Sequence, residues 1–267
     1  MTPGFPAPAW LVGCGNMAGA MVAGWRTAGV DLTGVTAIRP SGTPVAGVRT
    51  VTDYPDEAPR FVMLGFKPQK LDEVVPLLAS HFGDTTILVS MLAGVGAESL
   101  RGRFPSARAI IRVMPNLPVA QRQGVTALYS ADHDDAARSL ITDLMTALGL
   151  APWCADEAVF SAIGAVAGSG PAYVARFAAA LANGGERLGL DSDLASAIAV
   201  QTLVGTGAMA EAGGENMADL ARRVASPKGT TEQGLAVLDG ADGLQPLVDR
   251  MLAAAIRRGE EMAAAAR

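Results

Sequence analysis

From residue 9 to about residue 152 the chain alternates short apolar runs of β type with stretches whose apolar residues recur at helical spacing. The apolar runs predict strands at Ala9–Val12, Val35–Arg39, Phe61–Leu64, Ile87–Ser90, Ala109–Val113 and Thr126–Tyr129. Between them the 3.6-residue pattern predicts helices, most clearly at Met17–Ala28, Leu71–His81 and Asp134–Leu148. Near-continuous apolar strands alternating with helices are covered on both faces, so the pattern predicts a parallel, doubly wound α/β sheet of Rossmann type. Gly29 follows the first helix where a left-handed C-cap belongs.

After Trp153 the grain changes. Strand-like runs vanish, and Ala, Leu and Gly dominate in helical spacing, predicting helices at Pro171–Leu188, Asp193–Ala212, Glu215–Val224, Thr230–Leu238 and Leu244–Ala265. Pro171 suits a first helical turn and Ser192 an N-cap, while the Ala264–Ala266 end is expected to fray. The expected organisation is a Rossmann domain at 1–152 and an all-α domain at 153–267. The segments Pro171–Leu188 and Asp193–Ala212 are apolar around much of their circumference. An isolated segment of that length struggles to bury both faces, so a second copy of the chain is expected to cover the surplus.

Composition narrows the classes. With 267 residues, half of them hydrophobic and 18% charged, the chain has ample material for buried cores. A net charge of -5 gives no reason to expect nucleic acid or an anionic membrane surface. Cys14 and Cys154 form neither a disulfide framework nor a zinc spacing, which fits a reducing, cytoplasmic setting. The N-terminus lacks the basic and apolar regions of a signal peptide. The apolar stretch Ala158–Ala182 is read as no membrane span, because Gly168-Ser169-Gly170-Pro171 interrupts it.

The first predicted strand runs into Gly13-Cys14-Gly15-Asn16-Met17-Ala18, a G-x-G-x-x-A dinucleotide fingerprint in its strand-to-helix context. Gly13 permits the sharp turn, Gly15 lets a pyrophosphate approach the backbone, and Ala18 keeps the helix close to the sheet. The helix N-terminus offers unpaired N–H groups and partial positive charge. About twenty residues further on, NAD-binding chains place an Asp or Glu at the second strand's end. Here the residues are Arg39-Pro40-Ser41, a guanidinium and a hydroxyl suited to a 2′-phosphate, which favours NADP.

Further blocks resemble one family. Gly13–Met17, Lys67-Pro68-Gln69, Ala93-Gly94-Val95, Val113-Met114-Pro115-Asn116, Gly124–Leu128, Gly168–Tyr173 and Ser226-Pro227-Lys228-Gly229-Thr230-Thr231 follow the order seen in pyrroline-5-carboxylate reductases. The resemblance implies reduction of the C=N bond of 1-pyrroline-5-carboxylate to L-proline with NADPH or NADH, the last step of proline biosynthesis. It implies a Rossmann domain joined to a helical domain that interlocks with a second subunit, as a dimer or a larger assembly such as a decamer. By match to the family's motifs, Gly15, Asn16, Met17 and the Arg39–Ser41 turn hold the cofactor, and Phe66, Lys67 and Ala93 line its nicotinamide side. Ser226, Gly229, Thr230 and Thr231 hold the substrate. Gly164 and Ala167 stand where the family usually has hydroxyls, and Lys228 where glycine is common.

The residues themselves suit that chemistry. A protonated imine is already electrophilic and the cofactor carries the hydride, so the protein must orient both and bind a carboxylate. Ser226-Pro227 reads as an N-cap with Pro in the first turn, and nearby N–H groups with the Ser226, Thr230 and Thr231 hydroxyls suit an anion. Thr231, with Ser226, is the candidate catalytic group, hydrogen-bonding the ring nitrogen. Asn116 is placed to orient the nicotinamide amide or substrate. Each has a plainer reading: a structural cap for Ser226, first-turn helix residues for the threonines, a turn residue after Pro115 for Asn116, a solvated side chain for Arg39 and Lys228.

His81 and His133 look exposed, Cys14 sits too deep in the phosphate turn for a nucleophile, and Met17, Met21 and Met209 read as core. The Asp132-His133-Asp134-Asp135 run reads as a solvated helix start, so no metal is expected. A β-hydroxyacid dehydrogenase, which also joins a Rossmann to a helical domain, needs a catalytic Lys on the first long helix after the sheet; Pro171–Leu188 carries only Arg176 and Arg187. A non-catalytic NADP-binding protein and a reductase of the six-membered ring homologue remain as alternatives.

Overall fold

The computed structural model describes residues 4–265; of the Ala264–Ala266 end expected to fray, Ala264 and Ala265 are helical and Ala266 lies outside the described residues. Eight strands form one sheet: β1 (Ala9–Val12), β2 (Val35–Ile38), β3 (Arg49–Val51), β4 (Phe61–Leu64), β5 (Ile87–Ser90), β6 (Ala109–Pro115), β7 (Gly124–Tyr129) and β8 (Gly149–Leu150). Their order is β3-β2-β1-β4-β5-β6-β7-β8, and the pairs from β3 through β6 are all parallel. Chain order reverses between β1 and β4, so the crevice beyond the carboxyl end of β1 is the switch point where such sheets take their ligands.

Strand alternation builds a core on each face. Leu11, Met63, Val89 and Ile111 share one register line and one cluster with Met21 and Trp25 of α1 (Asn16–Thr27) and Ile141 and Leu144 of α4 (Asp135–Thr146). Their neighbours Trp10, Val62, Leu88 and Ile110 point the other way and pack on Leu71 and Leu78 of α2 (Leu71–Leu78) and Leu100 of α3 (Ala97–Arg103). Both faces are thus covered, as near-continuous apolar strands require. Gly29 takes φ +75 just past α1, the expected left-handed cap.

The sheet differs from the sequence expectation in one strand's direction and in two short strands. β7 runs antiparallel to β6, because the short 3-10 segment Leu117–Gln121 joins them and a parallel crossover needs a dozen or more residues. β3 and β8 escape a periodicity reading, being a three-residue, partly exposed edge and a two-residue pairing.

Contacts divide the chain into two units. One runs through Ser169 and takes in the chain from Ala255; the other is Gly170–Ala254. The change of sequence character at residue 153 precedes that division because α5 (Glu157–Ile163) lies on the sheet unit, with Phe160 packed against Ala127 and Cys154. The second unit holds α6 (Gly170–Arg187), α7 (Ser192–Gly213), α8 (Met217–Val224), α9 (Thr230–Leu238) and the first part of α10 (Leu244–Ala265). The N-cap of α7 is Asp191, whose carboxylate accepts from Asp193 N and Leu194 N, and not Ser192, whose hydroxyl donates to Glu186 at 2.6 Å.

The helical unit leaves much apolar surface bare. α7 buries only Ala195 and Ala199, while Val174, Phe177 and Leu181 on α6 and Leu194, Ile198 and Val204 on α7 are each 45% to 60% exposed. Met209, read as core, is also exposed in the single chain. Helical backbone runs from Glu157 to Arg187, long and apolar enough by itself to cross a membrane. The Gly168–Pro171 block does not break that run: a π turn at Gly164–Gly168 precedes it, and Pro171 falls in the first turn of α6, where a missing N–H is tolerated.

Candidate active site

The glycine turn forms as its sequence dictates. Gly13 takes φ +77, and a Cβ there would lie 2.7 Å from the Cβ of Phe66, so only glycine fits. A Cβ on Gly15 would meet nothing within 4 Å, and Gly15 is the N-cap of α1 with no side chain closing the helix end. The first amides of α1 thus have no side-chain cap, and its first turn carries no acidic residue. Ala18 is buried. These are the features a pyrophosphate needs, and the turn fits a dinucleotide.

Beyond β2 the chain closes a tight turn, Gly42 N donating to Arg39 O at 2.9 Å with Gly42 at φ +64. Arg39 Nη1 donates to the Thr43 carbonyl at 2.8 Å, and the Ser41 and Thr43 hydroxyls pair at 3.0 Å. The guanidinium is thus held in place with most of its five donors still unused. Thr43, a member of this cluster, was not evident from sequence, because only the folded turn brings it to Ser41. Arg39 borders a cavity of about 310 Å³ with Cys14, Gly15 and Asn16. Burial pushes the Cys14 thiol up, with the nearby Arg39 charge a smaller opposing influence, so the group stays a protonated thiol.

Phe66 is half-buried after β4, Lys67 is exposed and starts the short 3-10 turn Pro68–Lys70, and Ala93 is exposed in the loop after β5. All three stand at carboxyl ends of strands beside the switch point.

Asn116 has work inside the fold. It is buried, its Oδ1 accepts from Val125 N at 2.8 Å, and its Nδ2 donates to Ala167 O at 2.9 Å. The carboxamide ties the β6–β7 connection to the π turn, so both of its polar atoms have partners within the fold. Asn116→Ala leaves a buried amide unpaired and is expected to cost about 2–3 kcal/mol of stability, read by denaturant titration; a loss below about 0.5 kcal/mol contradicts this role.

The π turn also explains the missing hydroxyl at Gly164. Met114 Sδ occupies the space where a Cβ would stand, so a side chain and this Met114 rotamer exclude each other. Nearby, an ion pair with a buried arginine went unread in the sequence. Arg112 pairs with Glu157 Oε1 at 3.2 Å and stacks 4.4 Å over Phe160, while Glu157 Oε1 also accepts from Ala97 N at 2.8 Å. Desolvation pulls the Arg112 pKa down and Glu157 pushes it back. No sequence signal links residues 45 positions apart.

The 226–231 segment belongs to the second unit and differs from the expected cap. Ser226 is not the N-cap: Ser226 O accepts from Gly229 N at 2.9 Å, closing a turn, and α9 starts at Thr230 with Gly229 as its cap. Pro227 lies in that turn rather than in the helix. Lys228 takes φ +61, which is why glycine suits this position, and its N–H donates to Glu232 Oε2 at 2.7 Å. A Cβ on Gly229 would collide with Ser226 Oγ. The Ser226, Thr230 and Thr231 hydroxyls are exposed and make no hydrogen bond among the described residues, and no side chain caps α9. Three free hydroxyls stand at the start of α9, whose first turn also carries the Glu232 carboxylate turned back onto Lys228 N.

The remaining polar groups are accounted for structurally. His81, expected to be exposed, is half-buried against Trp10 and Tyr54, and His133 is exposed. Asp134 caps α4 by accepting from Ala137 N, and Asp132 pairs with Arg101.

A doubly wound sheet with an open glycine turn at its switch point, followed by a helical unit bearing a hydroxyl-rich loop, defines a dinucleotide-dependent oxidoreductase architecture. Residues 157–262 match the family model for pyrroline-5-carboxylate reductase dimerisation. The chain is 35% identical to the Pseudomonas aeruginosa pyrroline-5-carboxylate reductase over 95% of its own length and 96% of that protein's. It is 34% identical to the Pisum sativum enzyme, with 94% of each chain covered. Among solved structures, the Coxiella burnetii pyrroline-5-carboxylate reductase superposes with a TM-score of 0.88 at 31% identity, covering 96% of this chain and 98% of that one. The Plasmodium falciparum pyrroline carboxylate reductase, solved with NADP bound, shares the fold at a TM-score of 0.84 and 22% identity, with 96% and 98% covered. The chain belongs to the pyrroline-5-carboxylate reductase family.

Proposed function

We propose that this protein reduces the C=N bond of 1-pyrroline-5-carboxylate to give L-proline, using NADPH in preference to NADH, in the cytoplasm. The observation that carries the reading is the 226–231 loop: three unpartnered hydroxyls at the start of α9, with no side-chain cap, on a chain whose glycine turn fits a dinucleotide. In this reading 1–152 is the cofactor-binding part and 153–267 the substrate and dimerisation part, although α5 and the chain from Ala255 pack with the sheet unit. Gly13, Gly15, Asn16, Met17 and Ala18 form the phosphate turn, Arg39 and Ser41 take the 2′-phosphate, and Phe66, Lys67 and Ala93 flank the nicotinamide. When bound, the reduced cofactor supplies the hydride.

The chain's own part is binding and orientation. Ser226 and Thr230 hydroxyls, the Gly229 backbone and the free amides of α9 hold the substrate carboxylate. Thr231 Oγ1 hydrogen-bonds the ring nitrogen, fixing the imine and steadying its proton. Asn116 supports the site through Val125 and Ala167. Neither histidine takes part, since one packs in an aromatic cluster and the other is exposed beside the Asp134 cap.

The bare apolar faces of α6 and α7 meet a second copy of the chain, as a dimer or a larger assembly. The same reading assigns the Glu157–Arg187 helix to the subunit interface and not to a membrane.

The test is a spectrophotometric assay of purified protein with NADPH and 1-pyrroline-5-carboxylate, repeated with the six-membered homologue. Turnover with a clear kcat/KM preference for the five-membered ring is expected. Cofactor binding without turnover would favour a non-catalytic NADP-binding protein, and preference for the larger ring would reassign the substrate. Thr231→Ala is expected to lower kcat/KM for the imine about 10- to 100-fold while leaving NADPH affinity unchanged; parallel losses in both would make Thr231 a folding residue.

A further inference from the structure

The cavity that opens at Gly15 and Asn16 continues along one stripe of α1, past Gly19 and Ala23, to Arg26 in the helix's last turn. Residues 19, 23 and 26 share a helix face, and the first two are small enough to leave a channel against the Pro44–Ala46 segment. Arg39 borders the near end and Arg26 the far end, and no acidic residue lines the space. Arg26 forms no ion pair or hydrogen bond through its side chain among the described residues. Its stem is held across Gly47, which takes φ +88; a Cβ there would overlap the Arg26 Cδ. The Arg26 guanidinium lies beside Gly47, and its side chain lines the same cavity as Arg39.

We propose that Arg26 is a second, specificity-determining cation for the 2′-phosphate of NADPH, working with Arg39 across this cavity. The inference rests on the NADPH reading above. A phosphate monoester carries close to two negative charges at neutral pH, and a pair of guanidiniums in an acid-free cavity matches it better than one. A cation in the last turn of a helix also complements the helix dipole. That structural role would act on stability alike with every ligand, whereas the proposed role acts only where a 2′-phosphate is present.

The experiment is calorimetric titration of the full-length protein with 2′,5′-ADP and with 5′-AMP, probes that differ in the 2′-phosphate alone. Arg26→Gln is expected to weaken 2′,5′-ADP binding about 5- to 20-fold, as loss of a charge-assisted hydrogen bond does, with 5′-AMP binding changed less than twofold. Arg26→Lys should restore part of the loss. Equal weakening for both probes, or no change for either, overturns the assignment of Arg26. If Arg39→Gln alone abolishes the preference for 2′,5′-ADP, the cofactor reading stands without Arg26. If neither substitution alters that preference, the 2′-phosphate reading of the whole turn fails.

Discussion

Arg39→Asp is expected to lower the NADPH/NADH ratio of kcat/KM by about 100-fold or more. The change removes a charge-assisted pair of about 1.5–3 kcal/mol and adds a repelling carboxylate, and each 1.4 kcal/mol is tenfold. The guanidinium is held by the Thr43 carbonyl at the end of β2, where an acidic residue would instead accept from the ribose hydroxyls of NADH. The sign follows from position: the new carboxylate stands beside Ser41 and above Cys14, on the rim of the same cavity. Activity with NADH should persist or rise, which separates cofactor exchange from misfolding. An unchanged ratio would make Arg39 a solvated strand-end residue.

The second large effect concerns the helical unit. Ile198→Asp combined with Val204→Asp is expected to convert the assembly to monomer at micromolar concentration, read by sedimentation. Both side chains stand about half exposed on α7 in the single chain, in a helix apolar around most of its circumference. A carboxylate buried unpaired between subunits costs several kcal/mol, enough to raise a dissociation constant by at least about 100-fold. If these faces were ordinary solvent surface, two aspartates would change stability by no more than about 0.5 kcal/mol and leave the mass unaltered. An unchanged oligomer would move the subunit contact elsewhere.

The sheet was legible where continuous β-type runs met clear turns. β1, β4 and β5 fall at the predicted bounds because each is a β-type run, apolar but for Ser90 at the end of β5, and buried at all four positions. β3 was not, since Arg49-Thr50-Val51 is a three-residue edge with one face in solvent. The direction of β7 was set by the length of the connection and not by its own residues. α5 carried a signal that could have been used: Asp156 followed by Glu157 is an N-cap pattern, and Asp156 does accept from Val159 N at 2.8 Å.

The site divides in the same manner. The glycine turn reads from sequence because the requirements at Gly13 and Gly15 are local. The 226–231 loop was placed in sequence but its geometry was not, because Ser226, Pro227 and Lys228 suit either a helix start or a turn. The left-handed Lys228 that decides for the turn has no compositional mark. Asn116 and Arg112 take their roles from partners 51 and 45 residues away, and Arg26 joins Arg39 only once α1 lies beside the Pro44–Ala46 segment. Local rules see none of these.

The most direct measurement is a crystal structure of the protein with NADPH and a non-reacting five-membered ring carboxylate. The carboxylate should lie on the amides and hydroxyls of residues 226–231, with the ring nitrogen within hydrogen-bonding reach of Thr231 Oγ1 and the ring facing the nicotinamide. A ligand seated elsewhere, with that segment turned away from the nicotinamide, would contradict the account.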